Sequence, residues 1–504
     1  MKGSGATTSI WMGTAEMGMA QALTRAMTAD ICVVGAGIAG LTTAYLLASE
    51  GRSVLVLDDG RVGSGETSRT TAHLSNALDD RYHELSRLHG ERGAQLAAKS
   101  HSTAIDTIEA LVAKESIACQ FERVDGYLFV PPGESTDVLD QELEATHHAG
   151  LTGVERVPRA PLEGFDTGPC LRFPRQAQFH PLQYVEALAA AIEKKGGRIL
   201  TNTHAEECHD GSPVRVKTSH GPIVSASALV MATNTPVNDR FAIHTKQAAY
   251  RTYVIGVSVP TGSVTKALYW DTADPYHYVR LAAAGDHDVL IVGGEDHKTG
   301  QADETDNRFN RLEAWTRARF PMSRAVAYRW SGQVMEPIDS LAFIGRNPGD
   351  TNIYIVTGDS GNGMTHGTIA GMLLTDLIQG RQNEWAPLYD PARITLRAAT
   401  EFMKENLNVA AQFRDYASGG DVTDAQQIKP GTGAIIRDGI KKLAVYRDSE
   451  GKSHTCSAVC PHLGCIVDWN HVESTWDCPC HGSRFNPSGT VLNGPANRGL
   501  EPVE

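Results

Sequence analysis

The sequence predicts an α/β (α+β) unit in residues 29–390 and a small all-β unit in residues 425–504. Three observations predict this division. Residues 30–34 (Asp-Ile-Cys-Val-Val) read as a buried strand, followed by a glycine-rich turn, a helical stretch over 41–50 and a second strand over 53–58. Runs at 253–259, 276–281 and 288–292 alternate as the strands of a larger antiparallel sheet do. Beyond residue 425 only short strands separated by turns remain.

The bulk numbers bound the answer. A chain of 504 residues is expected to hold two or three folding units. With 41% hydrophobic and 21% charged residues the composition is that of a globular protein. The formal net charge of −13 argues against nucleic acid or an anionic membrane as the main partner. No apolar run approaches the roughly 20 residues of a membrane span. Residues 1–27 lack a basic start with an apolar core, so no secretory signal is read and a cytoplasmic location is expected. Of the nine cysteines, Cys456, Cys460, Cys465, Cys478 and Cys480 are bunched, whereas Cys32, Cys119, Cys170 and Cys208 are scattered. That distribution predicts a local metal site rather than a disulfide framework.

Further elements follow in order. Residues 1–28 are expected to form an irregular lead-in. An amphipathic helix is expected over 82–114, strands over 119–130, a helix over 181–195 and strands at 197–200 and 228–233. Residues 303–320 read as helix, 353–357 as a strand and 367–378 as a helix after a glycine-rich turn. Residues 391–424 read as a helical segment and linker ending near Tyr416-Ala417-Ser418-Gly419-Gly420-Asp421.

Gly35-x-Gly37-x-x-Gly40 lies directly between the first strand and the first helix, and Asp58 ends the next strand. Gly35 permits the tight turn, Gly37 lets a pyrophosphate approach the backbone, and Gly40 lets the helix pack close to the strand. The helix N-terminus offers oriented N–H groups to phosphates, and Asp58 would bind ribose hydroxyls. This is a Rossmann-like dinucleotide fingerprint.

The surrounding sequence resembles the D-amino-acid oxidase/glycine oxidase superfamily of FAD proteins. Besides the fingerprint, the loop 63–72, Phe179-His180-Pro181 leading into a helix, and the late block 358–367 carry the resemblance, which covers roughly residues 28–385. It implies FAD as cofactor. Thr67, Ser68, Thr71 and Ala72 would lie near the flavin, and Gly358, Gly363, Met364, Thr365 and Gly367 would close over its ribityl chain and ring. FAD-binding segments are expected at about 29–105, 180–240 and 335–385, with substrate segments at about 106–179 and 241–334. No second GxGxxG stands in mid-chain, so a dedicated NAD(P)H domain is not expected. Some relatives attach FAD to His or Cys, but His73 is expected to lie beside the flavin unbonded, and Cys32 to be core packing. In the superfamily a hydride leaves a C–H beside an amine. Arg251, Tyr253, Tyr276, His277, Tyr278 and Arg280, on the expected large sheet, are the candidates for the substrate end, an Arg being suited to fork onto a carboxylate. Each is more often a sheet-surface or packing residue than a ligand.

Near the C-terminus stand Cys460-Pro461-His462-Leu463-Gly464-Cys465 and Cys478-Pro479-Cys480-His481-Gly482-Ser483. Two thiolates on one iron and two imidazoles on the other make a Rieske [2Fe–2S] site. Cys460 and Cys478 would ligate the first iron, His462 and His481 the second. Zinc also accepts Cys₂His₂, but the full double motif is too specific for an ordinary finger. The pattern resembles the Rieske proteins of cytochrome bc complexes. That resemblance implies a disulfide between Cys465 and Cys480, which sits awkwardly with a cytoplasmic protein, and a third loop at Gly494-Pro495-Ala496. It also implies a Ser483 hydroxyl bonded to a cluster sulfide. Phe485 stands where high-potential members have a Tyr that bonds a ligand sulfur, so a lowered potential is expected. Cys456 is read as structural, and Trp469 and His471 as filling the inter-loop segment.

The whole arrangement resembles a bacterial family of FAD-dependent oxidoreductases with a C-terminal Rieske domain. The implied activity is oxidation of a small-molecule substrate, an amine or amino acid, with electrons leaving singly through the cluster to a one-electron acceptor protein. Alternatives are an oxidase using O₂ with a structural or regulatory cluster, a non-catalytic electron carrier or redox sensor, and electron flow in the reverse direction from a donor.

Overall fold

The computed structural model describes residues 4–18, 21–237, 243–301 and 305–503. A parallel sheet organises the first half of the fold. Met27–Val34 lies between Ile223–Met231 and Val54–Leu57, parallel to both, and Ile353–Thr357 extends the sheet in parallel beyond Ile223–Met231. Val54–Leu57 and Ile353–Thr357 are buried throughout, and the last four residues of Met27–Val34 and of Ile223–Met231 are apolar and buried, because helices or other segments cover both faces there. The helices Ile38–Ser49, Pro181–Lys194 and Gly363–Ile378 pack on one another and on that sheet. A Cβ on Gly40 would lie 1.9 Å from the Gly35 carbonyl oxygen, so only glycine lets the first helix seat on its turn.

The second sheet has nine strands and is mostly antiparallel. Its spine runs Val326–Pro337, Gln247–Pro260, His287–Lys298, His277–Ala284, Leu268–Asp271, Glu122–Phe129, Cys170–Gln178 and His73–Leu74. It reaches well beyond the runs expected at 253–259, 276–281 and 288–292, taking in strands from both substrate segments. Side chains alternate across it with period two. Tyr253, Ile255, Val257 and Val259 point into a core shared with Phe309 and Leu312 of the helix Thr305–Arg319, while Val254 packs into the core beneath the parallel sheet.

Two expectations are corrected. The N-terminal segment is not wholly irregular: it carries the helix Ile10–Thr14, with Ile10 and Trp11 buried. Trp11 Nε1 donates to Thr70 O at 2.6 Å and Ser9 Oγ to Ser68 O at 2.6 Å, which anchors the segment on the loop 63–72. The late helix starts at Gly363, not at 367, so the glycine-rich block supplies its first turn. No helix among the described residues is long and apolar enough to cross a membrane.

The small unit comprises two antiparallel sheets, Thr432–Asp438 with Lys441–Arg447 and Ser453–Ser457, and Asp468–Asn470 with Thr475–Asp477, Arg484–Phe485 and Val491–Asn493. It is clasped to the large unit by a buried ion network. Glu473 accepts from Arg69 at 3.0 Å and faces Arg251 at 3.4 Å, and the Ser331 hydroxyl donates to it. Thr7 Oγ1 donates to the same carboxylate at 2.5 Å. Beside it Arg484 pairs with Asp477 at 3.1 Å and donates to the Ser4 carbonyl. Burial pushes the Glu473 carboxyl up, but Arg69, Arg251 and Arg484 together outweigh it and hold it at about 2.

Replacing Glu473 by Gln strands those guanidiniums, and breaking a buried pair from one side costs about 3–5 kcal/mol. The expected outcome is a denaturation midpoint lowered accordingly at pH 7. Because the folded pKa lies below the ordinary 4.5, the Glu473 contribution is whole above that pH and is lost as pH falls toward 2. The wild-type advantage over Glu473→Gln should shrink across that window in urea titrations.

Candidate functional site

A cavity opens between the parallel sheet and the nine-stranded sheet. Gly35, Gly37, Asp58 and Thr67 line one end, and Trp270, Tyr276, Tyr278 and Asp79 line the other. Two helices begin on its wall, Ile38–Ser49 after Gly37 and Gly363–Ile378 after Asn362; neither N-cap residue supplies a side-chain cap, though Ile38 N donates to Thr67 Oγ1 at 3.2 Å. Helix N-termini favour an anionic group. Asp58 Oδ2 accepts from Ala36 N and Oδ1 from Gly60 N, both at 2.7 Å. Burial, with Asp59 beside it, pushes Asp58 up to about 7. The added Cβ of any other residue at Gly37 would reach 3.1 Å from Thr67 Oγ1, so the cradle floor is backbone. These residues fit FAD: a glycine cradle, two helix N-termini and an acidic residue at the second strand lie on one wall.

Of the residues expected near FAD, Gly35, Gly37, Asp58, Thr67, Thr71, Gly363, Met364 and Gly367 line the cavity. The others sit behind the wall. Gly40 packs on Gly35, Ser68 Oγ donates to Gly65 O at 2.8 Å, and Thr365 Oγ1 lies 2.8 Å from His101 Nδ1. Ala72 has φ 59° and its carbonyl accepts from Arg280, while a Cβ on Gly358 would press on Pro337. His73 lines the cavity, with Nδ1 3.0 Å from Thr71 Oγ1. Burial and the nearby Arg280 hold it at about 3, a neutral imidazole.

The substrate-end candidates divide sharply. Tyr276 and Tyr278 line the cavity. Arg251, Tyr253, His277 and Arg280 do not, which corrects the expectation for them. Strand parity turns Tyr253 to the opposite face, where it stacks on His297 at 5.6 Å between ring centroids. By the same parity His277 faces Asp271, 2.9 Å away, and stacks on Trp315. Arg251 is wholly buried against Glu473, and Arg280 NH1 donates to the carbonyls of Thr71, Ala72 and Phe179. Neither guanidinium reaches a substrate carboxylate. Asp79, Trp270, Thr252 and Gln333, which sequence reasoning missed, take their places on the wall. No local motif marks them; only the sheet register brings them together.

In the small unit each motif forms a loop closed by backbone bonds. Cys460 N donates to Cys465 O at 2.9 Å, and Cys478 N to Ser483 O at 2.8 Å. The Cys460 and Cys478 sulfurs are hydrogen-bonded partners, and the His462 and His481 rings lie 5.1 Å apart. His481 Nδ1 is buried with no hydrogen-bond partner, and burial, with His462 and His244 nearby, holds the ring neutral at about 3. A neutral imidazole with an orphaned nitrogen and two converging thiols fits a [2Fe–2S] cluster. Cys465 and Cys480 are joined as a disulfide with Cα atoms 6.4 Å apart. Their sulfurs lie within 4.8 Å of Cys478, but the bond between them removes the thiolates that a three-cysteine metal site would need. Ser483 Oγ accepts from Ala496 N at 2.9 Å, tying the third loop to the second. Phe485 is fully buried in the same core as Cys460 and Cys478, and so is Cys456.

The two sites adjoin. Gln333 lines the cavity, and its Nε2 donates to Gly482 O at 3.0 Å, one residue from His481. A Cβ on Gly482 (φ +76°) would fall 2.4 Å from Ala249 Cβ and 2.8 Å from Gln333 Nε2, so only glycine allows this approach. His244 of the large unit, itself buried, packs edge-on against His462 and His481 with centroids 4.8 and 6.0 Å away. Asn493, Gly494 and Ala496 of the small unit complete the cavity wall.

Comparison with known proteins agrees with both halves. The family model described as FAD dependent oxidoreductase matches residues 30–377, and that of the Rieske [2Fe-2S] domain matches residues 420–504. YhfW of Bacillus subtilis (strain 168), whose name describes a Rieske 2Fe-2S iron-sulfur protein, is 29% identical over 497 residues, 98% of this chain and 97% of its own. Gamma-glutamylputrescine oxidoreductase of Escherichia coli (strain K12) is 27% identical over 380 residues, covering 71% of this chain and 85% of its own. The crystal structure of glycine oxidase from Geobacillus kaustophilus superposes with a TM-score of 0.61 at 18% identity, over 73% of this chain and 100% of that one, a likeness of fold. The match over most of the large unit shows that the chain belongs to the FAD dependent oxidoreductase family, here joined to a C-terminal Rieske [2Fe-2S] domain.

Proposed function

We propose that this enzyme oxidises a small amine or amino acid at FAD and passes the electrons one at a time through the Rieske cluster to an external one-electron acceptor protein. Bound FAD would supply the hydride chemistry at a C–H beside nitrogen. The chain's own residues would do the rest. Gly35, Gly37 and the two helix N-termini would hold the pyrophosphate and ribityl end. Tyr276, Tyr278 and Trp270 would wall off the substrate. Cys460, Cys478, His462 and His481 would hold the cluster.

The observation that carries this reading is the Gln333 bridge. One side chain stands on the wall of the flavin cavity and hydrogen-bonds the residue after a candidate cluster ligand. The packing of His244 on both candidate histidine ligands adds to it, because it presents that end of the cluster site to the flavin unit. A cluster with a structural role alone has no need of either contact.

The test is anaerobic mixing of the holoprotein with a panel of primary amines and amino acids, with flavin and cluster absorbance followed together. The expected record has two phases, flavin bleaching and then cluster bleaching. A cluster that stays oxidised while the flavin is reduced contradicts internal transfer and favours an O₂-using oxidase. Gln333→Leu should slow the second phase and leave the first unchanged.

The cluster environment generates a separate expectation. Hydrogen bonds to sulfur stabilise the reduced cluster, and Phe485 makes none. One such bond, at about 0.5–1.5 kcal/mol, corresponds to roughly 20–60 mV for a one-electron couple. Phe485→Tyr should raise the midpoint potential by that amount in a redox titration; no upward shift removes the assigned role of Phe485.

A further inference from the structure

The cavity end opposite the fingerprint is built for a cation. Trp270, Tyr276, Tyr278 and His73 form an aromatic wall, with His73 6.0 Å from Trp270, 5.8 Å from Tyr278, and the two tyrosines 5.6 Å apart by ring centroids. Asp79 stands in it, receiving the Tyr276 hydroxyl at 3.3 Å. Aromatic faces and a carboxylate are what recognise an ammonium group.

Carboxyls predominate behind the wall, with Arg81 and Arg308 as cations near them. The Ser360 hydroxyl bridges two carboxyls, with Oγ 2.7 Å from Asp80 Oδ2 and 2.9 Å from Glu336 Oε2. Asp359 also lines the cavity, and Asp296 Oδ1 is buried without a hydrogen-bond partner. Burial, only partly offset by Arg81, pushes Asp79 up to about 6, and burial pushes Asp296 up to about 7. Carboxyls gathered out of water are costly unless protonated or met by a cation.

An α-amino acid would need a counter-charge for its carboxylate. Among the described residues on the cavity wall the one Arg or Lys is Arg69, and its guanidinium is engaged by Glu473, Ser331 O and Thr7. Arg251 and Arg280 are turned elsewhere, as described above.

We infer that the substrate is an alkyl amine without an α-carboxylate, received as its ammonium by Asp79 and the aromatic wall. This rests on the oxidoreductase reading and narrows it. With FAD bound as the two-electron acceptor, R–CH₂–NH₃⁺ would give one proton to Asp79 and lose a hydride equivalent, leaving R–CH=NH₂⁺, which water would hydrolyse to aldehyde and ammonium.

The test compares butylamine with norvaline and 1,4-diaminobutane with ornithine, pairs that differ only in the α-carboxylate, by anaerobic flavin bleaching of the holoprotein. Each amine should reach half-maximal bleaching at a concentration at least tenfold below its partner. Asp79→Asn should raise the amine requirement by about 10- to 100-fold, with the flavin spectrum and dithionite reduction unchanged. Tetramethylammonium, which has no N–H proton to lose and no nitrogen lone pair to form an iminium, should perturb the wild-type flavin spectrum more strongly than that of Asp79→Asn. If the amino acids bleach at equal or lower concentration, the substrate class is overturned while the oxidoreductase reading stands. If nothing bleaches but tetramethylammonium binds through Asp79, the cation site stands and the amine-oxidation reading fails. Neither bleaching nor binding overturns both.

Discussion

The buried carboxylate of Glu473 is the point on which the arrangement turns. It belongs to the small unit, yet its partners, Arg69, Arg251, Ser331 and Thr7, come from the loop beside the flavin cavity, the nine-stranded sheet and the N-terminal segment. Burying this many charges is tolerable only if all arrive together, because each one left alone carries its full desolvation cost. The network therefore demands one docking geometry. Arg69 lies within the loop expected to approach the flavin, so the same contact that seats the small unit also braces the cofactor loop.

That docking places the two redox sites against each other. Lying at the interface, Gly482 needs the absence of a side chain to let the second ligand loop meet Ala249 and Gln333. Asn497 Nδ2 reaches the carbonyls of Ala205 and Glu206, and Asn493 Nδ2 reaches Glu66 Oε1, so the third loop is pinned along the cavity rim. A carrier that swung between partners would gain nothing from so many polar contacts specific to one position. Helix Ala399–Gln412 then runs over the outside, with Gln301 meeting both Asn408 and Pro479.

What was legible in the sequence was local. The glycine fingerprint and the paired Cys/His loops each lie within a few residues, and turn geometry makes their spacing meaningful. The substrate end was not legible in that way. Arg251, Tyr253, His277 and Tyr278 look equivalent as letters, but strand parity sends Tyr278 to the cavity and Tyr253 and His277 to the opposite core. Asp79 and Gln333 carry no motif, and Arg69 meets Glu473 across a separation of 404 residues. Trp11 gave no periodic signal because its segment folds onto the rest of the chain rather than forming a face of its own.

Flash photoreduction of the holoprotein tests the proposed electron exchange between the two sites within one chain. A short flash with a sacrificial donor reduces the flavin, and cluster absorbance reports arrival of the electron. The expected record is a first-order cluster bleaching whose rate constant does not change as protein concentration is varied tenfold. A rate that scales with concentration, or a cluster that stays oxidised, would contradict it.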